Sequence, residues 1–423
     1  MVTVVMLLAS MDAGWGERMR ASTLMARAAV AGLVIAAGAC SAADDPVEEP
    51  APTGTGAATA PAVADTELVV ETVVDGLDGP WGLAFLPDGE QLLVTQSAGI
   101  LSVVDSSTGE IDDISGVPEV ATGGQGGLLD VALDPDYPEA PWVYLTYSAA
   151  DDSGGTTTTH LARGQLDLAE QQLDQVEVLY VAEPFLQSTA HYGSSIVFDD
   201  DGYLFMTVGD RGYKNFDDHP AQDPSTPIGT TLRLEPDGSV PADNPFVDDP
   251  EVADEIYSYG HRNIQGLTVH PETGEIWASE HGEQDGDEIN VLEAGGNFGW
   301  PVATTACEYG TDTPLGEWPD EVEGTVEPVF YWECGSGGFP PAGLTFYTGD
   351  EFPQWQDDLL VGGLASEYLA RLTVAGDQVE EAEPLLADEG WRIRDVAVGP
   401  HDGAIYVAVD GSDAPLLRLV NAD

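Results

Sequence analysis

Six times along its 423 residues this chain repeats one phrase: a small or Gly-containing start, alternating apolar residues, a turn of Asp, Pro and Gly, then an apolar strand. The copies begin at Trp81, Gly127, Ser194, Gln265, Ala342 and Ile393, and their second strands open at Gln91, Trp142, Tyr203, Glu275, Asp358 and Ala404. Each copy reads as two strands joined by a tight turn, with further strands after most of them. Residues 67–423 divided by six leave about 60 per unit, which suits a four-stranded blade with long loops. The expectation is an all-β fold, a six-bladed β-propeller with four-stranded antiparallel blades, because radial closure protects sheet edges that would otherwise aggregate. A β-sandwich could hold the same strands but would not predict the recurrence. The 49 Gly, 29 Pro and single Lys, Lys214, agree with a turn-rich β protein.

The N-terminus reads differently. Arg18, Arg20 and Arg27 precede an apolar run over residues 28–37, followed by Ala37, Gly38, Ala39 and Cys40, the pattern of an export signal. Residues 1–40 are expected to be a signal peptide ending at a lipoprotein cysteine, with translation starting at Met19 or Met25; the alternative is ordinary cleavage near Ala39. Residues 41–66, rich in Ala, Pro, Thr and acids, read as a flexible linker, and 67–423 as the propeller. The protein is then exported, lipid-anchored outside the cell membrane or secreted. With Cys40 lipidated, Cys307 and Cys334 remain as a pair in an oxidising compartment, and a disulfide is expected; two buried thiols is the alternative.

Charge narrows the partners. Seventy-six Asp and Glu face 12 Lys and Arg, for a formal net charge of −64, so nucleic acid would be repelled. Three of the arginines lie in the export signal. Of the nine remaining cations, four are arginines in loops at the edges of the repeats: Arg211, Arg262, Arg392 and Arg394. Loops at one propeller face converge on the axis, where four guanidinium groups would bind an anion carrying several carboxylates or phosphates. The bland alternative pairs each with one of the abundant acids. The stretch 280–290, EHGEQDGDEIN, combines carboxylates, Gly and carbonyls, hard oxygen ligands of the kind Ca²⁺ prefers, without EF-hand spacing. Among the histidines, His160, His219, His270 and His401 sit in polar turns and read as solvated. His191 precedes the third repeat and Asp210 ends its second strand; in a hairpin of that length the two lie side by side, so the Asp can orient the imidazole as a base.

Taken in order, five motifs resemble the soluble quinoprotein glucose dehydrogenases, and more closely the aldose sugar dehydrogenases, which use pyrroloquinoline quinone (PQQ) on a six-bladed propeller. They are GGQGGLLDVALDPDY (123–137), HYGSS with VGDRG (191–195, 208–212), YGHRNIQGL (259–267), EHGEQDGDEINVLEAGGNFGWP (280–301) and RIRDV (392–396). The resemblance implies oxidation of aldoses at C1 to lactones, with electrons passed to an external acceptor (quinone, cytochrome or dye). It makes His191 the general base, Asp210 its activator and Arg262 the stabiliser of charge on the quinone. Gln125, Asn263 and Tyr309 would contact the cofactor, and Arg392 and Arg394 would bind its carboxylates. Carbonyls of Gly282 and Glu283 would hold a catalytic Ca²⁺, and the Glu288 side chain with the Phe298 carbonyl a structural one. The chain departs from the family in three ways. Leu364, Ala365 and Ser366 offer no lysine where one is frequent, Glu283 and Ile264 replace prolines, and the segment after Cys334 is longer. A Ca²⁺-dependent lactone hydrolase and a non-catalytic cell-surface propeller are the competing readings.

Overall fold

The computed structural model describes residues 66–214, 219–376 and 378–422, so the expected export signal, Cys40 and residues 41–65 of the expected linker lie outside the described residues. The rest is six four-stranded antiparallel sheets, one for each repeat of the sequence phrase. Five are continuous in the chain, spanning residues 80–114, 128–181, 196–259, 264–331 and 341–385. The sixth takes three strands from residues 393–421 and its outermost strand from the other end of the chain: Leu68–Asp78 pairs antiparallel with Ser412–Asn421. That pairing closes the ring and covers the outer edge of Ser412–Asn421. Among the described residues, helix is confined to three 3₁₀ turns of three residues each, and none is long and apolar enough to cross a membrane.

Alternation in each strand sends one set of apolar residues into the gap between neighbouring blades. Leu93, Leu101, Leu128, Val131 and Leu145 fill the first such gap, all buried. Fully burying each side chain of that size contributes roughly 1.5–3 kcal/mol. The innermost strands carry a second regularity. In five of the six blades the pairing of the innermost strand slips just after its start, between Pro80 and Leu83, Leu128 and Val131, Ile264 and Gly266, Pro341 and Leu344, and Ile393 and Asp395. Such a bulge leaves a backbone N–H unpaired and re-aims a side chain towards the axis. A hydroxyl on the second strand meets that need in several blades. Thr95 Oγ1 accepts from Gly82 N (2.8 Å) and donates to Leu129 O of the next blade. Thr146 Oγ1 accepts from Asp130 N (2.9 Å) and donates to Ser194 O (2.6 Å). Thr207 and Ser279 reach Ile264 O and Ala342 O of their following blades in the same way. These clasps tie each of the first four blades to its successor at the axis, around a central channel of ≈ 490 Å³.

Candidate active site

The site grows out of the hairpin of the third blade. His191 (φ 49°), Gly193 (φ 65°) and Ser194 (φ 87°) lie in the left-handed region, which turns the chain sharply before the innermost strand. For a histidine that conformation is uncommon, and such strain concentrates where a side chain must be aimed. The imidazole meets the far end of the hairpin: His191 Nδ1 is 2.6 Å from Asp210 Oδ1. Asp210 is buried and further held by Gly212 N (2.7 Å) and by the Trp300 indole N–H on its other oxygen (2.8 Å). Burial pushes its carboxyl upward, but hydrogen bonds from His191 and His219 and the charge of Arg262 outweigh it and hold the group well below the ordinary range. With Nδ1 taken by the carboxylate, Nε2 is the ring nitrogen left to face a cavity of ≈ 520 Å³, which Arg262, Trp300, Lys214, Glu283, Glu308 and Tyr309 also line.

Arg262 makes no ion pair among the described residues, although the chain carries 76 acids. Its guanidinium donates instead to the Tyr309 hydroxyl (2.9 Å) and the His281 carbonyl (3.3 Å) and lies 5.3 Å from the Trp300 ring centre. Behind it is a second cavity of ≈ 350 Å³, lined by Gln125, His281, Ala365, Arg392, Arg394 and Trp81 among others. Hydrogen bonds link the linings of the two cavities. Gln125 accepts from His191 N (2.6 Å), and Asn263 Oδ1 accepts from Gly193 N (3.2 Å) and from the amide of Gln265 (3.3 Å), which faces the second cavity.

Arg392 and Arg394 are therefore gathered rather than dispersed, yet they are not free of acid: both reach Asp410, at 2.9 and 3.3 Å. One carboxylate between two guanidiniums leaves an excess of positive charge. Arg394 is buried, stacks 4.0 Å from the Trp81 ring centre, and donates to Gln265 (3.1 Å), while its Nε finds no partner. An unsatisfied buried cationic donor is costly unless an acceptor occupies the cavity. His281, pushed down to about 3 by burial and by Arg262, is neutral there. This donor set fits a multiply charged carboxylate ligand. Because Ala365 and Leu364 line the cavity, no lysine enters from that loop, and the two arginines are its cations.

The stretch 282–288 curls beneath. Neither the Gly282 nor the Glu283 carbonyl accepts a hydrogen bond among the described residues, which leaves both free for a hard cation. No group of three or more His, Cys, Asp or Glu side chains is arranged to hold a metal there or elsewhere among the described residues, so a bound ion would lean on carbonyls. The charge that Glu283 introduces is balanced: its carboxylate lies 2.7 Å from Lys214 Nζ. Glu288 is buried, accepts from Thr305 (2.6 Å), and is pushed up to about 7 by burial and by the charge of Glu280. The Asn290 side-chain oxygen, close by, is buried without a partner, and the Phe298 carbonyl accepts no hydrogen bond among the described residues. Cys307 and Cys334 form the disulfide, with Cα atoms 5.4 Å apart. The segment after it packs on the same loop, Gly335 N to Asp285 Oδ2 (2.7 Å) and Phe339 N to Asp287 Oδ2 (2.8 Å).

Four sequence expectations need correction. Arg211 does not reach a ligand site. It is buried, stacked 3.7 Å from the Tyr192 ring centre, and donates to the carbonyls of Ala190, Thr157 and Ser188. His160 is a core residue between Tyr147 and Phe185, since its place in a strand outweighs its polar neighbours. His219 is buried 3.5 Å from Asp210 Oδ2, and His270 packs against Trp277 and Phe346; of the four, His401 is exposed as expected. Trp300, His281 and Gln265 carry no assigned role in the sequence reading, though all lie within the quoted motifs; nor does Trp81, which opens the first repeat.

The family model for glucose/sorbosone dehydrogenases matches residues 77–418, nearly the whole propeller. The chain belongs to that family. It is 39% identical over 357 residues to the aldose sugar dehydrogenase YliI of Escherichia coli, covering 84% of this chain and 94% of that one. It is 26% identical to quinoprotein glucose dehydrogenase B of Acinetobacter calcoaceticus, covering 80% and 85%. Among solved structures, the apo-form of the soluble E. coli aldose sugar dehydrogenase superposes with a TM-score of 0.77 over 84% of this chain and 100% of that one, at 39% identity. The PQQ-bound form of the aldose sugar dehydrogenase of Streptomyces coelicolor does so with 0.68, at 29% identity, covering 85% and 99%.

Proposed function

We propose that this family member is a PQQ-dependent aldose dehydrogenase that oxidises sugars at C1 to lactones. The observation that carries the reading is the pairing of a carboxylate-held imidazole, His191, with a guanidinium that has no carboxylate partner, Arg262, in one cavity wall. His191 Nε2 takes the proton of the anomeric hydroxyl, and Asp210 fixes the tautomer that leaves Nε2 able to accept it. Arg262, preorganised by Tyr309 and the His281 carbonyl, stabilises negative charge that develops beside it. Gln125, Asn263, Arg392 and Arg394 hold the cofactor from the second cavity, the arginines on its carboxylates. Carbonyls of Gly282 and Glu283 hold Ca²⁺, and Glu288 with the Phe298 carbonyl a second, structural Ca²⁺. When bound, PQQ with its Ca²⁺ supplies the two-electron acceptor for the hydride that leaves C1.

An external acceptor, a quinone, a cytochrome or a dye, then removes the electrons. The basic segment and Cys40 support an exported protein, lipid-anchored or secreted. The test is reconstitution: PQQ and Ca²⁺ are added to metal-stripped protein, and dye reduction is followed with glucose and other aldoses. Absorbance changes on PQQ addition and turnover lost in His191→Ala are expected. Absence of quinone binding together with absence of turnover refutes the reading and leaves a non-catalytic propeller or a lactone hydrolase.

A further inference from the structure

Lys214 takes no part in the chemistry just described, yet the chain's one lysine lines the cavity of the base. Its position is fixed by a buried partner. Glu283, whose side chain is 3% exposed, holds Lys214 Nζ at 2.7 Å and also accepts from Tyr309 N at 3.2 Å. A buried carboxylate of this kind needs its counter-charge, so the ammonium is not free to wander. An ammonium has three N–H donors. One goes to Glu283. The next acid, Glu308, is 4.0 Å away, beyond hydrogen-bonding range. Two donors are left for whatever enters.

These groups differ in exposure: the side chain of Asp210 is 2% exposed, His191 13%, Lys214 33% and Glu308 54%. The base is thus the more enclosed group of this cavity, and the ammonium and the carboxylate are the more open ones lining it. A pyranose presenting its anomeric carbon to His191 directs the opposite side of its ring, the C4 hydroxyl, away from the base and towards the more open groups. A hydroxyl both donates and accepts, which matches an ammonium and a carboxylate about one hydroxyl apart.

We propose that Lys214 and Glu308 are the specificity determinant of this cavity, selecting aldoses that carry a hydroxyl at C4. Lys214 donates a hydrogen bond to that oxygen, and Glu308 accepts one from its O–H. The proposal rests on the reading of the cavity as the sugar site. Glu283 acts through Lys214 as a positioning residue.

The test compares D-glucose with 4-deoxy-D-glucose on the loaded enzyme and its variants. Lys214→Met combined with Glu283→Gln removes both charges, so no lone ion is left buried; Glu308→Gln alters an exposed group and keeps the fold. Wild type should favour glucose in kcat/KM by roughly 10- to 100-fold, the range for a hydrogen bond to a charged partner. The double variant should bring that ratio to near one, and Glu308→Gln should lower it part-way. A ratio taken on one preparation is insensitive to any loss of cofactor. Calorimetric titration of cofactor-free protein with the two sugars reads the same preference without turnover. An unchanged ratio in the double variant overturns the proposal, as does a wild type that treats the sugars alike. Should the loaded enzyme oxidise neither sugar, the proposed function fails. The titration then decides separately, and equal or absent binding of the two sugars overturns the specificity claim as well.

Discussion

Asp210 holds the His191 ring with one carboxylate oxygen, at 2.6 Å, and the Trp300 indole with the other, at 2.8 Å. Trp300 also stands beside Arg262, so one residue braces both the base and the cation opposite it. Asp210→Asn would present an amide N–H to Nδ1 and move the ring proton to Nε2, the atom that must accept. A loss of roughly 10²–10⁴ in kcat/KM is expected, the range for a positioned general base. Trp300→Phe keeps the ring but drops the donor, for a loss of about 10-fold. Steady-state dye reduction with glucose measures both. Wild-type kcat/KM in Asp210→Asn would remove His191 from its assigned role.

The arginines divide into two kinds, and variants should separate them. Arg394→Met removes the stacked, partly unsatisfied guanidinium from the second cavity. PQQ affinity should fall by roughly 10- to 100-fold, as for a charge-assisted hydrogen bond, with little change in melting temperature. Arg211→Met should do the reverse. It leaves the Ala190 carbonyl without its donor and takes one donor each from the Thr157 and Ser188 carbonyls, an orphaned group costing about 1–3 kcal/mol, so the melting temperature drops while PQQ titration of the folded fraction is unchanged. Fluorescence titration with PQQ and thermal denaturation test the pair; a loss of PQQ affinity in Arg211→Met would contradict its structural assignment.

Between the blades, Thr146 receives the N–H of Asp130 and donates to Ser194 O in the next blade. Thr146→Val keeps the shape and leaves both partners unpaired in a buried site. A destabilisation of about 2–4 kcal/mol is expected, from two buried groups at about 1–2 kcal/mol each. Urea unfolding measures it. A change below about 0.5 kcal/mol would mean that water replaces the clasp.

The blades were legible because each innermost hairpin faces the same requirements, so its phrase recurs. The recurring hydroxyl at Thr95, Thr146, Thr207 and Ser279 is present in those phrases, but its use follows from a bulge that pattern alone does not reveal. In the fifth and sixth blades Gly362 and Ala408 stand at the same place. The His191–Asp210 contact was readable because hairpin geometry brings its two ends together. Long-range burial was not. His219 sits in DDHPAQ and Arg211 in GDRG, local contexts that look solvated, and only the packing of the loop against Asp210 and Tyr192 draws them inside. Charge gave Arg392 and Arg394 correctly as neighbours, yet it could not show that Asp410 serves both.

Acidity supplies the last expectation. In the axial channel Asp130 accepts from Val131 N, Ile196 N and Ser195 Oγ, and Asp395 from Val396 N and Leu83 N. Both line the channel and are half-buried in its wall. Burial pushes Asp130 up to about 6, and burial plus the charge of Asp130 pushes Asp395 well above the ordinary range. Carboxyls raised in this way hold protons that the unfolded chain has already released. Their contribution is full below about pH 4 and is lost as pH rises through the raised values. Asp210 has the opposite sign, but its stabilisation is lost only as pH falls through its depressed value, so it is silent between pH 5 and 8. His281, pushed down to about 3, and His160, pushed down by burial, oppose the carboxyls in this window, because the unfolded chain takes up their protons below about pH 6.5; the raised carboxyls outnumber them. Asp287, pushed up to about 6, and Glu288, to about 7, add to the channel pair. The melting temperature should therefore be higher at pH 5 than at pH 8. Repulsion among surface acids has the same sign, but 1 M salt shortens its reach to about 3 Å, so the slope that survives there belongs to the buried groups. A flat profile in 1 M salt would mean that these carboxyls are ionised in the native state. Asp395→Ser should reduce the surviving slope; if it leaves the slope whole, the titrating protons sit on Asp287 and Glu288 instead.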